Sequence, residues 1–447
     1  MDSRPANYVQ ENHTRPEDQT QPANRATLGA RRYDLDWVRI CAFGLLIFYH
    51  VGMYYVTWGW HVKSPYASHT IEPLMLLTNP WRLSLLFLVS GVATAYLLPK
   101  ATGFLRQRSI RLLIPLVFGM AVIVPPQSYL EVVEKVAYQG SYLEFLKLYF
   151  TAYHGFCRED CLILPTYNHL WFVAYLWIYT VVLYGVIRAL PNATRFLRTA
   201  IERAFSGVGV LLWPVAFLAI ARVTMIGTFA PNNAVVGDWY NHATYGMVFL
   251  LGFVLAGTQK PWNAMERFRW ISLMLAIVGW LCLVETPYSS GLLRRIAFGA
   301  EQWLAIAAVL GFARRYLNYD NAARRYLTAA IFPVYILHQT IIVVVAHALK
   351  PVNLTPAVEG PLLILVTAAG CFAGYEVIRR VAVLRPLFGL AMRPAVAPVA
   401  TGPAAAGPTV ATGSAAAPMA AVTVASTAGA SSQAAKTTAR WVPQDVQ

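Results

Sequence analysis

Asp36, Arg39 and His50 share one apolar run that extends to Trp58, with ten residues between the guanidinium and the imidazole. A helix long enough to cross a bilayer carries such groups only at a cost, so they point to function or to pairing. Eleven helical steps make almost three turns. Both side chains therefore project from one face, roughly 16 Å apart along the axis, and serve two depths of a single groove. At one depth an imidazole can accept a proton, and at the other a guanidinium can hold an anion.

Further groups suit the same chemistry. Arg106, Arg108 and Arg111 open an apolar stretch that ends at Pro115, and three-residue spacing puts Arg108 and Arg111 on one helix face. That pair serves either as a phosphate fork or as a basic anchor. His169 precedes Leu170, Trp171 and Phe172, where a hydrogen-bonding role at a membrane boundary suffices. His338 and Gln339 lie inside a later apolar run, as a polar contact between helices or as a direct participant. Glu301 and Arg222 also fall in apolar runs and would each need a partner, while Arg82 could extend its head to the interface. No spacing of His and Cys suggests a metal site.

Those residues need a scaffold, and composition says which kind. The chain has 447 residues, 57% hydrophobic and 13% charged, too little polar surface for a soluble protein of that length. Its 36 Lys and Arg exceed its 21 Asp and Glu, but they cluster between apolar runs, a topology signal rather than a nucleic-acid footprint. The expected fold is all-α and polytopic, with about ten transmembrane helices in one bundle. They centre on Ile47, Val89, Phe118, Trp177, Phe217, Phe249, Leu275, Ala305, Leu337 and Ala368. Ten crossings place nearly all Arg clusters on one side, so both termini are expected in the cytoplasm.

Three regions follow: a polar leader over 1–32, a membrane domain over 33–390, and an Ala-, Pro-, Thr- and Ser-rich tail over 391–447, both ends expected to be disordered. Between Pro126 and His169 lie two amphipathic stretches, starting at Tyr129 and Tyr142, suited to lying on the bilayer or roofing a pocket. Cys157 and Cys161 in that segment form a small disulfide loop or remain two thiols. Phe87 to Gly91 offers small residues for close approach of a backbone or a thin chain.

The order of these stretches resembles the acyltransferase-3 family of membrane-bound acyltransferases, over roughly residues 33–385. The matching pieces are Asp36-x-x-Arg39-x10-His50, Phe87-Leu-Val-Ser-Gly91, Arg108-x-x-Arg111 before Pro115, His169-Leu-Trp-Phe172 and Tyr335-Ile-Leu-His338. The likeness extends to members that modify periplasmic glucans, including by succinyl transfer. It implies a bacterial inner membrane and transfer of an acyl group, acetyl or succinyl, from cytoplasmic acyl-CoA to a hydroxyl of an extracytoplasmic acceptor such as a glycan. The residues permit that chemistry with His50 as general base, Asp36, Arg39 and His338 as further candidates for the catalytic site, and Arg106, Arg108 and Arg111, with Arg39, on the donor's phosphates. Asp36 would pair with Arg39 or with those arginines. An acyl-enzyme on His50 or a serine is the variant route. The competing expectation is a proton-coupled transporter or flippase with His50, Glu301 and His338 as a relay, although no internal repeat supports it.

Overall fold

The computed structural model describes residues 32–98, 103–157, 161–286 and 291–392. The leader and tail, apart from Arg32, Ala391 and Met392, lie outside the described residues. In chain order the helices are α1 (Tyr33–Tyr55), α2 (Glu72–Leu76), α3 (Arg82–Leu97), α4 (Phe104–Phe118), α5 (Pro125–Val136), α6 (Tyr142–Phe150), α7 (Trp171–Ala189) and α8 (Ala193–Ala204). There follow α9 (Gly209–Met225), α10 (Trp239–Leu255), α11 (Lys260–Arg267), α12 (Arg269–Glu285), α13 (Gly291–Tyr316), α14 (Ala322–Leu349), α15 (Pro356–Arg380) and α16 (Leu384–Leu387). Among the described residues the only β-type pairing is an isolated bridge between Cys157 and Cys161, whose sulfurs form a disulfide.

Each of the ten apolar centres read from the sequence falls inside a helix. The number of crossings is a different matter. Among the described residues five helices are long and apolar enough to cross a membrane alone, and up to eight spans result if each of three bent pairs counts as one. The α3 and α10 helices, with 16 and 17 residues, are only about 24–26 Å long, short of a hydrocarbon core of roughly 30 Å. The bends, of 41°, 108° and 66°, lie at α4/α5, α8/α9 and α11/α12. At the first of them Pro115 removes a backbone donor, a π turn follows over Gly119–Ile123, and a Pro pair opens α5.

The α1 helix packs against α13, α14 and α15, while α3 lies along α10, and α13 sits between α9 and α12. The α3 and α10 backbones approach each other closely. A Cβ on Gly91 would overlap the carbonyl of Phe249, and one on Gly252 would overlap that of Leu88. The small residues of α3 thus admit a neighbouring backbone. Because rigid backbone rather than a flexible side chain blocks the space, Gly91→Val is expected to destabilise the protein by about 1–3 kcal/mol or more. Unchanged thermal unfolding of the purified variant would show that the two helices can separate at no cost.

The α5 and α6 helices with the following loop bury Val132, Phe145, Tyr149, Phe156 and Leu164 in a core of their own. Ser141 and Glu144 cap α6 reciprocally, and α6 packs on α5, which lies against α14.

Candidate active site

The α1 and α14 helices run side by side and meet through polar groups at two levels. At their starts the buried carboxylate of Asp36 takes the guanidinium of Arg324, which also pairs with Asp320 at 2.9 Å. Fourteen positions further along each helix, His50 Nδ1 and His338 Nε2 are 3.1 Å apart. Equal spacing on both strands of the pair, about four turns or roughly 21 Å, locks the two helices in parallel register.

Hydrogen positions at the upper level follow from the partners. His338 Nδ1 lies 2.6 Å from the carbonyl of Tyr335, which can only accept, so Nδ1 carries the proton and Nε2 a lone pair. That lone pair requires a donor, and His50 Nδ1 supplies it while also lying 2.9 Å from the Leu46 carbonyl. His50 Nε2 is thereby left unprotonated. His50 lines a cavity of about 760 Å³ together with Trp60, His61, Arg82, His169 and Arg222.

His169 is more than a boundary residue. It is buried, its Nε2 donates to the Ile336 carbonyl at 3.0 Å, and its ring stands perpendicular to that of His338 with centroids 5.2 Å apart. Tyr335, whose hydroxyl donates to the His169 carbonyl, ties the α7 entrance to α14. Three imidazoles therefore cluster at one depth, although no group of three His, Cys, Asp or Glu among the described residues could hold a metal.

His61, which nothing in the sequence singles out, closes one wall. A directional chain reaches it from the backbone: Thr340 donates to the Ile123 carbonyl, Gln127 to Thr340, and Gln339 to Gln127. The second hydrogen of the Gln339 amide faces His61 Nε2 at 2.8 Å, which leaves the His61 Nδ1 proton for Glu131. Lys63, two residues on, donates to the Met53 carbonyl at 2.6 Å, and burial pushes its ammonium down to about 8.

The other end of α1 holds the arginines. The charges of Arg39, Arg108 and Arg111 lie near enough to repel one another, and Arg108 Nε is buried with no partner. Arg106 is exposed. Asp36 attracts Arg39 but spends its carboxylate on Arg324, a partner that the expected pairings did not include. Arg82 does not extend outward: it is buried, donates to Asn79 and lies over the ring of Tyr49. Glu301 and Arg222 do not meet. Glu301 is buried against Gly279 of α12 with Oε2 unpartnered, outside the cavity lining, so the three members of the expected relay are not contiguous.

The sequence profile of the acyltransferase domain family matches residues 32–376. Glucans biosynthesis protein C of Salmonella schwarzengrund (strain CVM19633) is 22% identical over 381 residues, covering 80% of this chain and 94% of that protein. The protein of the same name from Escherichia coli O157:H7 (strain EC4115 / EHEC) is 22% identical over 384 residues, with the same coverage. No solved structure matches the chain.

Proposed function

We propose that this chain, which belongs to the acyltransferase-3 family and is a multi-pass membrane acyltransferase, moves an acetyl or succinyl group from cytoplasmic acyl-CoA to a hydroxyl of an extracytoplasmic glycan, with His50 as general base. The observation that carries this reading is the proton order along Tyr335, His338 and His50, which leaves His50 Nε2 as a free lone pair at the cavity. Nε2 takes the acceptor's proton as its oxygen attacks the thioester carbonyl. The carbon–sulfur bond then breaks, and the same proton passes from His50 to the departing thiolate. His338 acts as a positioning residue by receiving the His50 Nδ1 hydrogen, which fixes the ring and shares the charge of the imidazolium.

Arg39, Arg108 and Arg111 are assigned to the donor's phosphates, since three guanidiniums held close together, with the nearby Asp36 already bonded to Arg324, are stabilised by a polyanion. The pantetheine arm would span the roughly 16 Å from Arg39 to His50. Ten crossings of a bacterial inner membrane with both termini cytoplasmic put these arginines at the donor's side and the cavity at the acceptor's. The carbohydrate acceptor is taken from the names of the relatives.

The test is transfer by the purified protein in liposomes, with labelled acetyl- or succinyl-CoA on one face and β-glucan on the other. Label is expected on the glucan. Arg108→Gln and Arg111→Gln are each expected to raise KM for the donor about 10- to 100-fold, the loss of a charge-assisted contact. Transfer from neither donor, or donor affinity untouched by both substitutions, would reject the assignment.

A further inference from the structure

His61 sits in the loop between α1 and α2, and its ring meets opposite requirements on its two sides. Nδ1 lies 2.5 Å from one carboxylate oxygen of Glu131, whose other oxygen takes Lys135. Nε2 faces the amide nitrogen of Gln339 at 2.8 Å. A carboxylate favours the charged imidazole, whereas an N–H donor at Nε2 requires the neutral one.

The amide cannot turn round to suit a charged ring. Its orientation starts from the Ile123 carbonyl, which can only accept: Thr340 donates there at 2.7 Å, so Gln127 donates to Thr340 and offers its oxygen to Gln339. The same oxygen takes Asn168 Nδ2 at 3.1 Å, and Asn168 Oδ1 is itself bonded to the Thr166 hydroxyl. Reversing Gln339 would set its oxygen against that of Gln127, and reversing Gln127 as well would set its nitrogen against that of Asn168. Gln127 and Gln339 are both buried, so each reversal is costly. A second proton on His61 therefore breaks the contact with Gln339 rather than turning the chain.

That contact joins two elements that hold the base. Trp60, next to His61, lies nearly parallel to the His50 ring, with centroids 6.5 Å and planes 26° apart. Gln339 follows His338, the partner of His50 Nδ1. We propose that neutral His61 is a positioning residue for transfer, latching the loop that stacks on His50 to the helix that orients it, and that protonation of His61 releases the latch. Besides Glu131 and Lys135, the titratable groups around it are Lys63 in its own loop, Glu72 on α2, His169 ahead of α7 and the pair of His50 and His338.

Hydrogen exchange on the wild-type protein in liposomes, without substrate, tests the latch. The amides of Ser64 and Ser68 bond to the carbonyls of Tyr54 and Tyr55 at 3.0 and 2.9 Å and report on the loop. Corrected for the intrinsic effect of pH, their protection is expected to fall about tenfold between about pH 8 and about pH 5, the loss of one hydrogen bond. In His61→Gln, whose oxygen accepts from Gln339 and does not titrate, protection should not change with pH. Glu131→Gln should move the fall to lower pH, because the carboxylate favours the charged ring. The rate arm rests on the acyl-transfer reading. There the acid limb of kcat/KM is expected to be steeper than about tenfold per pH unit in the wild type, since His50 and His61 each take a proton, and to return to about tenfold in His61→Gln. Protection that ignores pH in the wild type, or falls equally in His61→Gln, overturns the latch. Equal acid limbs in the two proteins overturn the positioning role. Absence of transfer overturns the acyl-transfer reading and that role with it, while hydrogen exchange still decides the latch.

Discussion

His50→Ala is expected to lower acyl transfer by about 10²- to 10⁴-fold in kcat, the range that a positioned general base contributes, while acyl-CoA still binds. Binding should persist because Arg39 lies almost three turns from His50 on the same helix, roughly 16 Å from the imidazole, and Arg108 and Arg111 stand on α4 near Arg39. The partner gives the sharper comparison. His338→Phe removes the acceptor for the His50 Nδ1 hydrogen without emptying the space, so kcat should fall less and its pH dependence should shift, because the His50 imidazolium loses the group that shares its proton. His338→Asn, which can still accept through its side-chain oxygen, should recover part of the rate. Single-turnover kinetics with equilibrium donor binding separate these effects. Full transfer by His50→Ala would remove the base from the mechanism, and an unshifted pH profile in His338→Phe would reduce that residue to packing.

Asp36→Ala is expected to cost about 3–5 kcal/mol of stability, because it strands the fully buried guanidinium of Arg324. The second partner, Asp320, is partly exposed and can offset only part of that loss. The consequence should reach the upper level of the helix pair. The contact of Asp36 with Arg324 and that of His50 with His338 share one register, so slippage at the lower level displaces the imidazoles by a fraction of a turn. Transfer should then fall more than the loss of folded protein explains. Asp36→Leu combined with Arg324→Met, which removes both charges and keeps apolar volume, should recover most of the stability. Thermal unfolding and specific activity of the single and double variants form the cycle. If Asp36→Ala unfolds at the wild-type temperature with full activity, α1 and α14 are held in register by packing alone.

Asp36 is thus a positioning residue on this reading. Sequence adjacency to Arg39 made it look like part of the donor site, since a carboxylate three positions before a guanidinium is the nearest partner that a helix offers. The stronger partner came from a helix nearly 290 positions later. Arg324 sits among Arg314, Arg315 and Arg325, where charge marks topology and nothing in the sequence separates the buried arginine from its half-buried and exposed neighbours. Arg82 and Arg222 were hidden for a related reason: each stands at a helix end, where a long side chain is free to leave the bundle or to enter it. His61 lies in a loop with no periodicity, and only the Thr340, Gln127 and Gln339 chain defines its proton.

The sequence by itself determined the class of protein and the helices that build it. Long apolar runs can satisfy their backbone only as helices, and that local requirement placed a helix at Ile47, Val89, Leu337 and every other apolar centre. It also marked Arg39, Arg108, Arg111, His50 and His338, because polar groups in such runs are costly enough to stand out. Tertiary structure alone decided which of them meet. Hydrophobicity has no direction along a helix, so it could not tell a straight span from the bends at α4/α5, α8/α9 and α11/α12, nor fix the number of crossings. Hydrogen bonds do have direction. Only the packing of α1 on α14 brings His338 Nε2 to His50 Nδ1 and so leaves the opposite nitrogen of His50 as the free lone pair on which the proposed chemistry depends.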